Sequence, residues 1–291
     1  MMDEERKPHW ALPPLRAGHA ADAALVQRRA AVEAMPQGEG VHPGDRVIGG
    51  VRCLVVGPDT ADHSAGGTLL YFHGGGYRMG SPSAWLGYAR RLADAAGLRI
   101  VLPFYRLAPE HPFPAALHDA VAVYRALREE GPVLAGGDSA GGGLAAALCL
   151  AAARAKQPVA GAILISPMLD MMARDRTYDD NAARDALFSR AAVRDAAALY
   201  LQGHVVDDPL VSPLCADPAM FPPMLLLVGG VEVLLGEALA FAQALALADR
   251  PVTLHVAGGM GHVWPMMAPA TPEAAEAFAA IAAWCRGCHA D

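Results

Sequence analysis

Apolar residues fall along the chain in two alternating rhythms. Short runs of β-branched and large aliphatic residues occupy 47–56, 68–72, 99–103, 132–136, 159–166, 224–229 and 252–256, and their length predicts strands. Longer alanine-rich stretches at 83–96, 115–130, 140–156, 234–248 and 272–286 carry helical spacing, the last with Pro272 in a first-turn position. Such alternation predicts a mostly parallel sheet covered by helices on both faces, with an antiparallel edge formed by the tightly connected early strands.

Two segments break the rhythm. Residues 1–40 read as helical over 20–35 and are then interrupted by Pro36, Gly38 and Gly40, while 169–214 is charged and methionine-bearing, with a helix at 191–201. Sites in open α/β sheets lie beyond the C-terminal strand ends, so segments inserted there are natural lids. The expected organisation is therefore a cap made of 1–40 and 169–214 over a core made of 41–168 and 215–291. A surface elaboration without a gating role is the alternative.

Composition narrows the class. With 291 residues, 54% of them hydrophobic, the chain can bury one large core by itself. Residues 1–10 are charged and lack an apolar leader, and no uncharged run reaches membrane-spanning length. A net charge of -7 without a basic cluster argues against nucleic acid. Five scattered cysteines suit reduced thiols and predict a cytoplasmic location. Cys285, Cys288 and His289 spell the haem-attachment pattern C-x-x-C-H, which reads better as coincidence in a chain without an export signal; as a zinc site the same trio is one ligand short. Neither metal nor organic cofactor is expected.

The chemistry concentrates in Gly137-Asp138-Ser139-Ala140-Gly141. A G-x-S-x-G run between a strand and a helix makes a sharp turn that exposes the serine and aims helix N–H groups at the space before it. Small residues are needed on both sides because neighbouring backbone passes close. Upstream, His73-Gly74-Gly75-Gly76 follows the strand at 68–72 and reads as an oxyanion hole rather than a phosphate cradle, since no acidic residue sits where a dinucleotide fingerprint needs one. The nucleophile needs a base and an orienting acid. His262, in a glycine-rich loop past the last strand, is the best base; His204 lies in the expected cap, His255 within a strand and His289 in the tail. Glu232 follows the strand at 224–229 and is the best acid, with Glu237 the alternative.

HGGGY at 73–77, YRLAPEHPFP at 105–114, GDSAGGGLA at 137–145 and GHVW at 261–264 together resemble the hormone-sensitive lipase family of α/β-hydrolases, in its bacterial esterase branch. The resemblance spans residues 47–284. It implies an α/β-hydrolase fold, a mostly parallel eight-stranded sheet flanked by helices and capped by the N-terminus and an insertion. It also implies cofactor-free hydrolysis of small or short-acyl esters, with Ser139 as nucleophile, His262 as base, Glu232 as acid, and the N–H groups of Gly75, Gly76 and Ala140 as oxyanion donors. The family more often carries aspartate at the acid position. Tyr77, Met168 and Trp264 are candidates to line the substrate pocket, with Met171, Met172, Met266 and Met267 nearby; core packing is the alternative for each. Two rival functions are an amidase or formamidase on the same residues, and a non-catalytic small-molecule receptor of the gibberellin-receptor kind, which lacks the histidine that is present here. The strand at 252–256 could pair with its symmetry mate in a homodimer.

Overall fold

The computed structural model describes residues 10–35, 40–58 and 67–288. Its centre is one eight-stranded sheet ordered β1-β2-β4-β3-β5-β6-β7-β8. The strands are β1 (Gly44–Ile48), β2 (Val51–Val56), β3 (Thr68–Phe72), β4 (Arg99–Pro103), β5 (Val133–Asp138), β6 (Gly161–Ile165), β7 (Met224–Gly229) and β8 (Val252–Ala257). Pairing is antiparallel at β1–β2 and β2–β4 and parallel from β4 to β8. The single run expected at 47–56 is a hairpin instead. Gly49 and Gly50 both adopt positive φ, 57° and 83°, which turns the chain in two residues, and an apolar run has no way of announcing that reversal except through this glycine pair.

Strands β3, β6 and β7 are buried at every position, so both faces of the sheet are covered and their sequences are continuously apolar rather than alternating. Helices α3 (Ala115–Leu127), α4 (Ala140–Arg154) and α7 (Leu235–Leu247) pack with one apolar cluster, and α2 (Leu86–Ala96) and α9 (Pro272–Cys288) with the other. Helix α4 is buried at every residue from Ala140 to Ala152, and its alanines and glycines let it lie close under the sheet. Among the described residues, no helix is long and apolar enough to cross a membrane.

The segments outside the alternation contain α1 (Ala23–Glu33), α5 (Thr177–Asp180) and α6 (Arg190–Leu201). Asp22 caps α1 by accepting from Leu25 N, and Ser189 caps α6 by accepting from Ala192 N. The two segments meet where Arg16 donates to the carbonyls of Leu201 and Gln202 at the C-terminus of α6, at 2.9 and 2.6 Å, complementing the negative end of that helix. Arg29 anchors α1 to the core. Its guanidinium donates to Arg78 O and Ala108 O, at 2.7 Å each, and forks onto the Glu110 carboxylate at 2.7 and 2.8 Å.

Arg29→Ala is expected to release α1 from the core at a cost of about 2 kcal/mol. Amide exchange in residues 22–34 should then accelerate while exchange in β5 and β6 stays as in the wild type. Unchanged protection of α1 would contradict this anchoring.

Candidate active site

Ser139 stands between the end of β5 and the start of α4 with φ 54° and ψ -123°, a strained conformation for a residue with a side chain. Its neighbours explain the flanking glycines: a Cβ on Gly137 would overlap the Gly141 backbone, and one on Gly141 would overlap the Phe72 carbonyl. The strained turn is pinned from both sides. Ser139 N donates to Ile165 O at 2.9 Å, and Ser139 O accepts from Gly143 N at 3.1 Å and Met168 N at 3.0 Å.

Past β7, Glu232 is fully buried and its Oε2 lies 2.6 Å from His262 Nδ1. Its Oε1 accepts from Gly229 N at 2.5 Å and from the Ser166 hydroxyl at 2.8 Å. Ser166 in turn accepts from Val263 N at 3.0 Å, so one buried hydroxyl holds both the carboxylate and the peptide that follows the imidazole. Sequence reasoning missed Ser166. Its only local sign is a polar residue directly after a fully apolar strand.

Glu237, the alternative acid, is held elsewhere. Its Oε2 accepts from Leu169 N at 2.9 Å and Asp170 N at 2.6 Å, and its Oε1 accepts from Tyr178 Oη at 2.9 Å. Burial pushes its carboxyl up to about 8 despite these donors, and the neighbouring Asp170 charge adds to the rise. The competing histidines are likewise engaged or distant: His204 Nε2 is 2.7 Å from Asp208, His255 lies in β8, and His289 falls outside the described residues.

The glycine loop after β3 approaches the serine from the other side. Gly75 and Gly76 adopt φ 118° and 64°, and Met79 N and Arg78 N close a tight turn on Gly75 O. Beneath them Asp138, the variable position of the serine motif, accepts from Trp85 Nε1 at 2.7 Å and Tyr71 Oη at 3.1 Å. A Cβ on Gly74 would overlap the Asp138 carboxylate, so the glycine there makes room for it. Burial pushes Asp138 up to about 6 against the pull of these donors, and burial lowers His73 to about 4, keeping its imidazole neutral at neutral pH. Ala140, the third expected donor, opens α4.

The expected pocket residues separate. Tyr77 is buried and stacks on Tyr200 of α6 at 3.9 Å between ring centroids, and Met168 belongs to the same apolar cluster. Trp264 does not join them. Val263 at φ 53° turns the chain away immediately after His262, and the indole packs in the opposite core layer, parallel to His255 and donating to Glu273 O at 3.3 Å. Met171 is core, and Met267 is 60% exposed. Phe188, from the inserted segment, instead meets His262, with ring centroids 4.4 Å apart and planes at 62°. Among the described residues no cluster of three His, Cys, Asp or Glu side chains is placed to hold a metal; the C-x-x-C-H tail extends beyond those residues.

Residues 69–266 match the family model described as the alpha/beta hydrolase fold. An acetyl-hydrolase of Streptomyces hygroscopicus is 41% identical over 253 residues, 85% of this chain and 84% of its own. A versiconal hemiacetal acetate esterase of Emericella nidulans is 32% identical, covering 80% and 86%. The crystal structure of an esterase from the bacterial hormone-sensitive lipase family superposes with a TM-score of 0.84 at 35% identity, over 92% of this chain and 93% of that one.

The raised Glu237 has a defined consequence. The unfolded chain ionises this carboxyl near 4.5 and the folded chain near 8, so the folded state holds the extra proton between them and stability falls as pH rises through that window. Glu237→Gln is therefore expected to flatten the decline in Tm between pH 5 and 8. An equally steep decline in the variant would place its cause in another group.

Proposed function

The chain belongs to the hormone-sensitive lipase family of α/β-hydrolases, and we propose that it is a serine carboxylesterase cleaving small or short-acyl esters through an acyl-enzyme. The single observation that carries this reading is the 2.6 Å contact between buried Glu232 and His262, taken together with the strained strand-to-helix turn that holds Ser139. In the proposed reaction His262 takes the Ser139 proton as the serine oxygen attacks the ester carbonyl. The N–H groups of Gly75, Gly76 and Ala140 stabilise the oxyanion; one such donor is typically worth about 3 kcal/mol in the transition state. Collapse of the intermediate breaks the bond to the alcohol, whose oxygen receives the proton from His262. Water then repeats the sequence and releases the acid. Glu232 holds the imidazole tautomer and offsets its transient positive charge.

Relatives named for acetyl ester hydrolysis support a short acyl group. In this reading residues 1–40 and 169–214 form one cap, a view supported by the Arg16 contacts to the end of α6, while the Tyr77–Tyr200 stack seats α6 on the core. A homodimer through β8 also belongs to the proposal. This strand ends the sheet, and Leu254 and Val256 on it are 37% and 44% exposed.

Ser139→Ala is expected to fold normally and lose p-nitrophenyl acetate turnover by roughly a million-fold, and Glu232→Gln to lose about ten-thousand-fold in kcat. Across p-nitrophenyl esters from acetate to palmitate the wild type should favour the short chains; retained hydrolysis in Ser139→Ala would overturn the assignment. For the assembly, sedimentation velocity should find a dimer that Val256→Lys converts to monomer, and a monomeric wild type would refute it.

A further inference from the structure

We infer that Phe188 is the contact for the leaving alcohol and that the enzyme selects esters whose alcohol portion is aromatic or otherwise apolar, an inference that rests on the proposed Ser139–His262–Glu232 mechanism. Glu232 occupies Nδ1 of His262, which leaves Nε2 as the atom that exchanges a proton with the reaction. During acylation the Ser139 Oγ–carbon bond forms, the carbon–oxygen bond to the alcohol breaks, and the proton carried by Nε2 passes to the alcohol oxygen. The alcohol oxygen must therefore come within hydrogen-bond reach of this ring. Phe188 is the aromatic side chain packed edge-on against the same ring, 4.4 Å between centroids, and it is only half-buried. Its free surface is apolar and lies beside the place where the alcohol must sit.

The placement of Phe188 is built rather than incidental. Asp185 Oδ1 accepts from the N–H groups of Leu187 and Phe188, both at 2.9 Å, and its Oδ2 accepts from Val233 N at 2.9 Å. Val233 directly follows Glu232. Asn181 Nδ2 donates to Glu232 O at 2.9 Å, and Thr177 Oγ1 donates to Val233 O at 2.7 Å. One carboxylate thus ties the aromatic residue to the peptide next to the acid, and both meet the same imidazole. A closed circuit runs from Phe188 through Asp185, Val233 and Glu232 to His262 and back. It fixes the ring in register with the proton-transferring group, as a specificity contact requires. Edge-to-face contact with an aromatic alcohol would use the same ring geometry that it presents to His262.

The test compares acetate esters that share an acyl group and differ in alcohol: methyl, benzyl and phenyl acetate, with the wild type, Phe188→Ala and Phe188→Leu. Phe188→Ala is expected to lower kcat/KM for the benzyl and phenyl esters about tenfold, chiefly through KM, and to leave methyl acetate within about twofold. Phe188→Leu should recover part of the loss. An equal loss on all three esters would overturn the inference, because the ring would then serve only to support the imidazole. A changed acyl-length preference with an unchanged alcohol preference would overturn it too, by putting the ring on the acyl side. The underlying mechanism is read separately: the wild type should release a burst of one equivalent of p-nitrophenol from p-nitrophenyl acetate, and Ser139→Ala should not. Absence of the wild-type burst together with full activity in Ser139→Ala would remove the mechanism itself.

Discussion

The carboxylate of Glu232, fully removed from water, accepts from donors that arrive at three separate strand ends: Gly229 N closing β7, the Ser166 hydroxyl just past β6, and His262 beyond β8. A charged group buried in this way costs several kcal/mol unless its oxygens are answered, so the carboxylate is tolerable only where those three ends coincide. Sheet register makes them coincide. Ile165 pairs with Leu227 and Gly229 with Ala257, and a slip of one residue would aim Ser166 or the His262 loop away from the acid.

Part of the backbone strain lies at the same edge. Tyr77, Ser139, Ser166 and Val263 all adopt left-handed φ, between 46° and 59°, although none is glycine. Each such residue costs of order 1–3 kcal/mol and persists only when its surroundings over-determine it. Here they do. Tyr77 O accepts from Ala108 N, Ser139 N donates to Ile165 O, Ser166 N donates to Leu227 O, and Val263 N donates to the Ser166 hydroxyl. The short stretch from Ile165 to Met168 touches both sides of the candidate site, since Ile165 and Met168 hold the serine turn while Ser166 holds Glu232 and the peptide after His262.

The inserted segment is bound into this arrangement rather than laid over it. Thr177, Asn181 and Asp185 contact the backbone of residues 232, 233 and 236, Tyr178 meets Glu237, and Phe188 meets His262. Gly236 is glycine because a Cβ there would overlap the Asp175 carboxylate. Displacing residues 175–188 would therefore disturb the acid turn as well as uncover it, which ties the order of the site to the order of the insertion.

Features set by local geometry were legible in the sequence by itself. The alternation of strands and helices, the serine motif with its glycines and the helix at 191–201 each depend on residues within a few positions of one another, where apolar period and missing Cβ atoms act directly. Nearness to the strand at 224–229 favoured Glu232 over Glu237 without giving either a partner. Both follow β7 and both are buried, and only the fold assigns His262 to one and the Leu169 and Asp170 amides to the other. Ser166, Asp185 and Phe188 escaped notice for the same reason, their partners lying 97, 48 and 74 residues away. Trp264, expected near the pocket from its place beside His262, packs in the opposite core layer after the left-handed turn at Val263. The sequence determined the elements and their motifs because those are short-range; the meeting of acid, hydroxyl and insertion was decided by sheet register, which no local pattern records.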